Sequence, residues 1–375
     1  MPNLHNLAGT AAIRLFGLLP IDSKKLFFIS YQGKYSDNPR AIYEELQKTH
    51  PELHYVWVLE GEHPDLPKNT KVVRARSLAM FYHMATAKIW IDNTRKPVWT
   101  RKRKHQFYIQ TWHGGLGFKK CEKDCEESLT ADYLAMAKHD SSMMDLILSG
   151  SAWQTDMYER AFWYNGEIQE YGLPRSDALY QSAEPAIQRV RDFYGLKDEN
   201  LLLYAPTFRA DENTACYNVD FQRLLDTVTE RFGGTWKLLV RLHPIIQSKA
   251  DFIPYSDAIL NGSLYPDMND LIRACSLSLT DYSSWLFDAM ELGKPVLLYA
   301  SDLEEFLKDR GLYFRPDELP LLFAENNDQL MDNIRAFDLE QYQADAAEFL
   351  SKVRNFNDGH AAEKTAERIL QELKK

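Results

Sequence analysis

The segment Phe107-Tyr108-Ile109-Gln110-Thr111-Trp112-His113-Gly114-Gly115 joins a short apolar run to a histidine and two glycines. An apolar run of this length, bounded by turn residues, is typical of a strand that is buried on both faces. Similar runs recur along the chain and alternate with segments of helical periodicity. This alternation predicts an α/β fold with a mostly parallel sheet and helices on both sides.

The alternation occurs twice. Gly172-Leu173-Pro174 interrupts the first series, and a second series follows with strands predicted at 201–205, 237–241, 276–280 and 296–299. We therefore predict two Rossmann-like domains, residues 1–172 and residues 173–375, with the last helices either in the second domain or packed back on the first. In such folds ligands bind beyond the carboxyl ends of the strands, so we expect the site in a cleft between the domains.

The first 20 residues carry leucines and alanines at helical spacing from position 4 to position 19, and Pro20 ends the stripe. Two interpretations stay open for this helix: it lies in a membrane interface, or it docks on the body of the first domain.

Composition excludes several classes of protein. The net charge of -10 argues against a general nucleic-acid binder. No apolar run reaches the roughly 18 residues that span a bilayer, and no signal peptide is evident, so we expect a cytoplasmic protein.

Four scattered cysteines do not form a disulfide framework, and Cys121 with Cys125 lacks the further ligands of a zinc site. The sequence predicts no dedicated metal site.

Polar blocks follow four of the predicted strands, where a ligand of an α/β fold would bind. Histidine moves protons near neutral pH, hydroxyls and arginine bind phosphate, and a helix start favours anions. Each block also has a structural interpretation, namely a histidine in a turn, a solvated arginine or a serine that caps a helix. Together they predict a diphosphate site with two histidines. The blocks are Trp112-His113-Gly114, Thr207-Phe208-Arg209, Arg241-Leu242-His243 and Asp281-Tyr282-Ser283-Ser284.

The order of these blocks resembles the CDP-glycerol glycerophosphotransferase family, which builds teichoic acids and related capsule polymers. The resemblance covers roughly residues 105–300. It rests on five segments: Gln-Thr-Trp-His-Gly at 110–114, Gly-Leu-Pro-Arg-Ser-Asp at 172–177, Tyr-Ala-Pro-Thr-Phe-Arg at 204–209, Arg-Leu-His-Pro at 241–244 and Thr-Asp-Tyr-Ser-Ser at 280–284. The chain departs from the family pattern after His113-Gly114, where Gly115-Leu116-Gly117-Phe118 replaces the more usual Thr-Pro-Leu-Lys.

The resemblance implies a glycosyltransferase-B-type fold with an acceptor-side first domain and a nucleotide-donor second domain. It also implies transfer of glycerol phosphate, or a related polyol phosphate, from a CDP-linked donor to a lipid-linked surface-polymer acceptor, with release of CMP. His113 and His243 are then the expected catalytic residues. The expected donor-phosphate ligands are Ser283, Ser284, Thr207, Arg209 and Arg241, and further site candidates are Trp112, Gly114, Arg175 and Asp281.

A basic loop from Arg95 to His105 contrasts with the acidic composition. Trp99, Arg101, Lys102, Arg103 and Lys104 are predicted to contact anionic head groups or the acceptor, although a solvated loop is the simpler interpretation. With the N-terminal helix, this loop predicts a protein peripheral to the inner face of the cell membrane.

Two alternatives to phosphotransfer stay open: a sugar-nucleotide glycosyltransferase or epimerase of the same fold, and a scaffold without catalysis. The absence of a P-loop and of a G-x-G-x-x-G motif disfavours kinases and dehydrogenases. No tightly bound cofactor is expected, apart from Mg²⁺ carried on substrate phosphates.

Overall fold

The computed structural model describes residues 4–31, 33–209, 214–308 and 311–375. The chain forms two compact units, each with its own parallel sheet. Unit 1 comprises Met1–Gly115, Cys121–Tyr180 and Arg354–Lys375, and unit 2 comprises Leu116–Lys120 and Gln181–Val353. Residues 173–180 and 354–375 therefore cluster with unit 1, whereas the sequence-based division places the boundary after residue 172.

Unit 1 has a sheet of seven parallel strands in the order β3-β2-β1-β4-β5-β6-β7. The central strands are buried on both faces, as their apolar composition predicts. In the register of the sheet, Phe27 on β1 lies beside Val56 on β2 and Trp90 on β4. The strands are β1 Asp22–Ile29, β2 His54–Val58, β3 Thr70–Val73, β4 Ala87–Asp92, β5 Phe107–Gln110, β6 Leu146–Leu148 and β7 Glu167–Gln169.

The helices of unit 1 begin at residues that can accept the free amide hydrogens of a first turn. The Ser77 hydroxyl accepts from the Met80 amide, and Thr130 and Ser151 cap their helices in the same way. The helices are α1 Leu4–Phe16, α2 Asp37–Thr49, α3 Leu78–Thr86, α4 Ala131–Ser141 and α5 Ala152–Ala161. Residues 1–3 of the predicted N-terminal helix lie outside the described residues.

Unit 2 repeats the architecture with six parallel strands in the order β10-β9-β8-β11-β12-β13. The sequence analysis missed β10 and β13, which are two or three residues long and lie at the sheet edges. The strands are β8 Asn200–Tyr204, β9 Trp236–Val240, β10 Ile259–Asn261, β11 Leu277–Thr280, β12 Val296–Tyr299 and β13 Phe323–Ala324. The helices are α6 Glu184–Tyr194, α7 Phe221–Phe232, α8 Met268–Ala274, α9 Trp285–Glu291, α10 Leu303–Phe306, α11 Asn327–Ala336 and α12 Leu339–Lys352.

The last helix, α13 (Ala361–Leu373), returns to unit 1 because the block at 172–177 holds it there. The buried Asp177 carboxylate accepts from the amides of Ala361 (3.0 Å) and Ala362 (2.7 Å). The Leu173 amide donates to Asn357 Oδ1 at 2.8 Å. At Gly172, φ is +88° and a Cβ would lie 2.9 Å from the same oxygen, so glycine is required.

Both sheets contain a point at which the strand order reverses. It lies between β1 and β4 in unit 1, and between β8 and β11 in unit 2. The carboxyl ends of the strands that flank such a point form the usual ligand crevice of an α/β sheet. In the described part of the chain, no helix is both long and apolar enough to cross a bilayer.

Candidate functional site

His113 follows β5 and lies near the point where the strand order of unit 1 reverses. Its Nδ1 lies 2.7 Å from the carbonyl oxygen of Asn93, the residue directly after β4. A carbonyl only accepts hydrogen bonds, so Nδ1 carries the hydrogen and the neutral ring keeps its lone pair on Nε2. The tautomer required of a base at Nε2 is thus built into the backbone.

The side chain of Asn93 fixes the position of that carbonyl. Asn93 is fully buried, its Oδ1 accepts from the Tyr31 amide at 3.0 Å, and its Nδ2 donates to the Ser30 hydroxyl at 3.2 Å. Both partners follow or end β1, so a single asparagine joins the ends of β1 and β4 beneath the imidazole. Tyr31 also lies beside the His113 ring, with centroids 5.7 Å apart.

Trp112 adopts a left-handed backbone conformation, with φ of +52°. This conformation costs a non-glycine residue roughly 1–2 kcal/mol, so neighbouring groups must stabilise it. The Trp112 amide donates to Gln110 Oε1 at 2.9 Å. The buried Asn38 Nδ2 lies 3.2 Å from the carbonyls of both Thr111 and Trp112. These bonds hold the turn that presents His113.

A buried group of charges lies beneath the turn. The Arg95 guanidinium lies 5.2 Å from the Trp112 ring and pairs with Glu122 at 3.0 Å and Asp140 at 3.2 Å. The two carboxylate side chains are 0% exposed, so they depend on Arg95 for compensation. Burial raises the pKa of Asp140, although Arg95 opposes this shift. The arrangement is rigid because removing one partner leaves a buried charge unpaired.

The environment of His113 favours the neutral imidazole. Burial lowers its pKa below the ordinary value, and the Asn93 carbonyl and the Asp37 carboxylate act in the opposite direction. The charges of Arg175 and Arg95 add to the lowering. The half-buried ring is therefore unprotonated at neutral pH, as a base must be.

Two other predicted residues of unit 1 join this group through backbone contacts. The Arg175 amide donates to Asn38 Oδ1 at 3.0 Å, so Asn38 ties Arg175 to the His113 turn. The Gly114 carbonyl accepts from Gln154 Nε2 at 2.6 Å. A Cβ at Gly114 would meet nothing within 4 Å, so the conformation of the turn does not require glycine at this position.

In unit 2 the centre of the site is Asp281, which follows β11. Its Oδ1 accepts from the amides of Thr207 (2.7 Å) and Tyr282 (2.6 Å). Its Oδ2 lies 2.9 Å from Arg209 Nη2. Asp281 is buried, and it joins the loop after β8 to the loop after β11. Its role in this structure is to position both loops.

Arg209 is held within the protein. It donates to both oxygens of Asp302, at 2.6 and 3.0 Å, and to the Thr207 carbonyl at 2.6 Å. Its guanidinium lies 5.0 Å from the ring of Tyr282 and 5.0 Å from that of Phe306. Since two carboxylates surround this one buried cation, Arg209 does not offer a net positive charge to a ligand.

Hydroxyl groups remain available beside this scaffold. Among the described residues, the buried Thr207 Oγ1 has no hydrogen-bond partner. Ser283 and Ser284 are half-buried, and the Ser284 side chain makes no capping bond to α9. Because α9 has only seven residues, its dipole contributes little. For binding an anion, the hydroxyl groups are therefore a stronger feature of this block than the helix dipole.

Arg241 and His243 follow β9. Arg241 donates to the backbone carbonyls of Gly262 (3.1 Å) and Tyr265 and pairs with no carboxylate in the described part of the chain, so its charge is not neutralised. Burial lowers the pKa of Arg241. His243 is exposed, and its ring stacks on Phe208 with centroids 5.3 Å apart. That His243 meets His113 at one site stays a prediction.

The predicted membrane contact requires one correction. Trp99 is only 9% exposed and packs on Phe81 of α3, with centroids 5.2 Å apart, and against Gly9 of α1. Its indole fixes α1 to the body of unit 1 and is not available to a membrane. Arg101, Lys104 and His105 are the exposed residues at this end of the loop, and Arg101 also donates to the carbonyls of Val98 and Thr100, both at 2.7 Å.

Lys102 and Arg103, which were also predicted to contact head groups or the acceptor, make contacts inside unit 1. Lys102 pairs with Asp145, and Arg103 donates to the carbonyls of Leu19 and Ala85. No group of three or more His, Cys, Asp or Glu side chains suited to a metal ion occurs in the ranges that the structure describes.

Sequence reasoning missed the residues that hold the predicted ones in place. Asn93 directly follows β4, and Asp302 follows β12 within a few residues. The rule that selected His113 and Asp281, polar residues just after strands, would have found both. Asn38 lies in the first turn of α2, so no strand end marks it, and its contact with residues 111 and 112 is visible only in the structure.

Comparison with known proteins shows which family has this sequence and architecture. The model of the family described as CDP-glycerol:poly(glycerophosphate) glycerophosphotransferase matches residues 11–371. The chain is 30% identical to the teichoic acid poly(glycerol phosphate) polymerase of Bacillus subtilis (strain 168) over 94% of its own length and spans 49% of that protein. It is 30% identical to the teichoic acid glycerol-phosphate transferase of Staphylococcus aureus (strain NCTC 8325 / PS 47), covering 96% of this chain and 95% of the relative.

Among solved structures, the wall teichoic acid polymerase TagF superposes with a TM-score of 0.85 and 27% identity. The match covers 100% of this chain and 99% of that chain. The predicted fold class, two Rossmann-like α/β domains of the glycosyltransferase-B type, is confirmed. A UDP co-structure of MnaA from S. aureus has a TM-score of 0.58 and 15% identity, which shows a likeness of fold alone.

Proposed function

Since this chain belongs to the CDP-glycerol:poly(glycerophosphate) glycerophosphotransferase family, we propose that it transfers glycerol phosphate, or a related polyol phosphate, from a CDP-linked donor. The acceptor is a hydroxyl group of a lipid-linked polymer of teichoic-acid or capsule type, and CMP is released. The family match over residues 11–371 is the observation that carries this proposal. The orientation of His113 in unit 1 and the polar groups at the strand ends of unit 2 support it.

His113 is the base in this proposal. The acceptor hydroxyl attacks the polyol-side phosphorus, its proton passes to His113 Nε2, and the bond from that phosphorus to the CMP oxygen breaks. Nδ1 stays bound to the Asn93 carbonyl throughout, so the ring keeps its orientation as it becomes charged. A positioned base of this kind contributes roughly 10²–10⁴ in rate.

Unit 2 binds the donor in this proposal. The hydroxyls of Thr207, Ser283 and Ser284 supply hydrogen bonds to the diphosphate, and Arg241 supplies the positive charge. His243 stabilises or protonates the phosphate of the leaving CMP. Arg209 and Asp281 act indirectly, because their polar groups are engaged with each other, with Asp302 and with the loop backbone.

We propose further that the protein binds no cofactor tightly and that any Mg²⁺ enters with the substrate phosphates. A titration of transfer rate with EDTA and Mg²⁺ tests this point. A transfer rate that falls with EDTA and is restored by added Mg²⁺ supports it, whereas a metal ion that survives purification and dialysis contradicts it.

Membrane attachment is part of the same proposal, since a lipid-linked acceptor lies at the inner face of the cell membrane. Leu15 in the last turn of α1 and Leu18 just after this helix are 64% and 83% exposed, and Leu78 on the adjoining α3 is 70% exposed. Arg103 bonds the Leu19 carbonyl, so the basic loop lies beside these leucines. Apolar side chains next to cations fit an anionic bilayer surface.

Vesicle co-sedimentation tests this attachment. The Leu15→Ser/Leu18→Ser variant is expected to lose binding to vesicles that contain anionic lipid. Leu339→Ser, which changes a leucine of unit 2 that is 47% exposed, serves as the matched control. Equal retention of both variants on the vesicles would show that Leu15 and Leu18 do not contact the membrane.

The transfer itself is tested by incubating the protein with CDP-glycerol or CDP-ribitol and lipid-linked acceptors. We expect CMP release and a product heavier by one or more polyol phosphates by mass spectrometry. Turnover of a UDP- or GDP-sugar, with no CMP from either CDP-polyol, would instead favour the sugar-nucleotide alternative.

A further inference from the structure

The chain departs from the usual family pattern directly after His113-Gly114, and from Leu116 onward this segment belongs to unit 2. Leu116–Lys120, which we call the strap, clusters with unit 2 although the residues on both sides belong to unit 1. Only Gly114 and Gly115 separate His113 from the strap. A displacement of the strap is therefore transmitted to the His113 turn over two residues.

The strap is anchored through its backbone. The Phe118 carbonyl accepts from the Tyr313 amide at 2.8 Å, and the Lys120 amide donates to the Gly311 carbonyl at 3.2 Å. Lys119 forms an antiparallel bridge with Leu312. Three consecutive residues are thus paired with a neighbouring segment of unit 2, which makes the strap part of its folded body.

The Phe118 side chain reaches the loop that carries the donor serines. It is 1% exposed, and its ring centroid lies 6.3 Å from that of Tyr282 and 6.1 Å from that of Phe287 on α9. Tyr282 directly precedes Ser283. Phe118 therefore packs on the same short segment that presents Ser283 and Ser284.

The neighbouring contacts extend to the scaffold of the donor site. The Lys119 ammonium lies 4.7 Å from the ring of Phe306. Phe306 stacks on Tyr282 with centroids 3.8 Å apart, and Arg209 lies 5.0 Å from each of these two rings. Strap, donor loop and Arg209 scaffold thus share one aromatic cluster.

From this packing we infer that Phe118 is a positioning residue for the transfer reaction. Its side chain anchors the strap, and the anchored strap restrains the His113 turn. This inference rests on the proposed function. Phe118 does not contact the reacting atoms and acts through His113. A donor that orders the Tyr282 loop stabilises, through Phe118, the segment from which His113 extends.

Kinetics provide the first test, with Phe118→Ala, the milder Phe118→Leu, and Phe349→Ala as a matched control. Phe349 belongs to the same aromatic cluster, stacking on Phe287 with centroids 5.9 Å apart, but it is remote in sequence from His113. Phe118→Ala is expected to lower kcat about tenfold or more, since small displacements of a reacting group cost up to about 10²-fold. The KM of Phe118→Ala for CDP-glycerol is expected to change much less than its kcat. The kcat of the control Phe349→Ala is likewise expected to change much less.

A double-mutant cycle separates positioning from general destabilisation. In a His113→Asn background, Phe118→Ala is expected to lower the residual rate by less than about twofold, because the group that it positions is already absent. Equal losses in the wild-type and His113→Asn backgrounds would overturn the inference. If Phe118→Ala fails to fold, Phe118→Leu is carried through the same cycle.

Hydrogen–deuterium exchange tests the strap even if no CDP-polyol is a substrate. Exchange at the amides of Trp112–Gly115 is expected to rise in Phe118→Ala and to stay unchanged in Phe349→Ala. Unchanged exchange in both variants, or an equal rise in both, contradicts the inference. Absence of transfer by the wild-type protein would contradict only the proposed function.

Discussion

The His113 turn of unit 1 and the Asp281 loop of unit 2 each lie near the point where the strand order of their sheet reverses, but they use charge differently. In unit 1 the buried charges lie behind the turn, and the side chain with the proposed chemical role makes a specific bond to Asn93. In unit 2 the predicted phosphate ligand Arg209 and the site candidate Asp281 are themselves the scaffold. The proposed ligand contacts of unit 2 are therefore its hydroxyls and Arg241.

This difference indicates a division of labour. A base must be held in one orientation and one protonation state, so unit 1 fixes His113 through its own ring nitrogen. A diphosphate carries charge and several acceptor oxygens, so a framework that presents donors suffices in unit 2.

Replacing the base should have the largest effect. His113→Gln is expected to lower the transfer rate by about 10²–10⁴, because the acceptor hydroxyl then loses its proton without a positioned base. The melting temperature should change little, since the hydrogen bond that the half-buried ring makes within the described residues is the one to the backbone carbonyl of Asn93. His63→Gln, at an exposed position of the same unit, is the control. Near wild-type turnover by His113→Gln would refute the assignment.

The two buried arginines allow a direct comparison of the scaffolds. Arg95→Met leaves Glu122 and Asp140 unpaired at 0% exposure, whereas Arg209→Met leaves Asp281 and the 17% exposed Asp302. Breaking a buried pair costs about 3–5 kcal/mol in free energy of unfolding, and we expect Arg95→Met to lie at the upper end. Urea unfolding of both variants measures the difference. A larger loss for Arg209→Met would reverse the order proposed here.

Much of the fold could be predicted from the sequence because its elements are locally encoded. Apolar runs mark the central strands, and Ser77 marks the start of a helix. The edge strands β10 and β13 were missed because two or three residues carry no periodic signal. The return of α13 to unit 1 depends on a contact between Asp177 and residues 361–362, which is 184 residues distant in sequence.

The site was predicted less completely, for a physical reason. Strand ends show which side chains lie at the crevice, but they do not show which of those side chains pair with one another. Arg209 looks like a phosphate ligand until Asp281 and Asp302 are found around it. Trp99 resembles a membrane anchor until its packing against Gly9 and Phe81 is known.

A variant of Arg241 tests whether the charge of this side chain binds the ligand or only supports the backbone. Arg241→Gln is expected to weaken CDP-glycerol binding about tenfold, the equivalent of one charge-assisted hydrogen bond. Arg231→Gln is the matched control, because Arg231 also donates to backbone carbonyls of unit 2, those of Arg335 and Phe337. Calorimetric titration measures both. Equal affinity for the two variants would mean that Arg241, too, only supports the backbone.

The smallest expected effect concerns the pH dependence of the base. Burial lowers the pKa of His113, with Arg175 and Arg95 acting in the same direction and Asp37 opposing them. The unprotonated ring is the active form, so the acidic fall in kcat/KM should begin below the ordinary histidine pKa of about 6.5.

Removing the opposing charge should extend that range. Asp37→Asn is expected to shift the acidic limb to still lower pH, because the carboxylate that favours protonation is gone. By the same linkage, the neutral ring stabilises the fold near pH 7, and that contribution is lost as the pH falls from the unfolded pKa through the lowered pKa of His113. Profiles of kcat/KM against pH for the wild type and Asp37→Asn provide the measurement. Glu44→Gln, a change to an exposed acid on the same helix α2, controls for net charge. A limb that shifts upward in Asp37→Asn would show that His113 does not report the charges assigned to its surroundings.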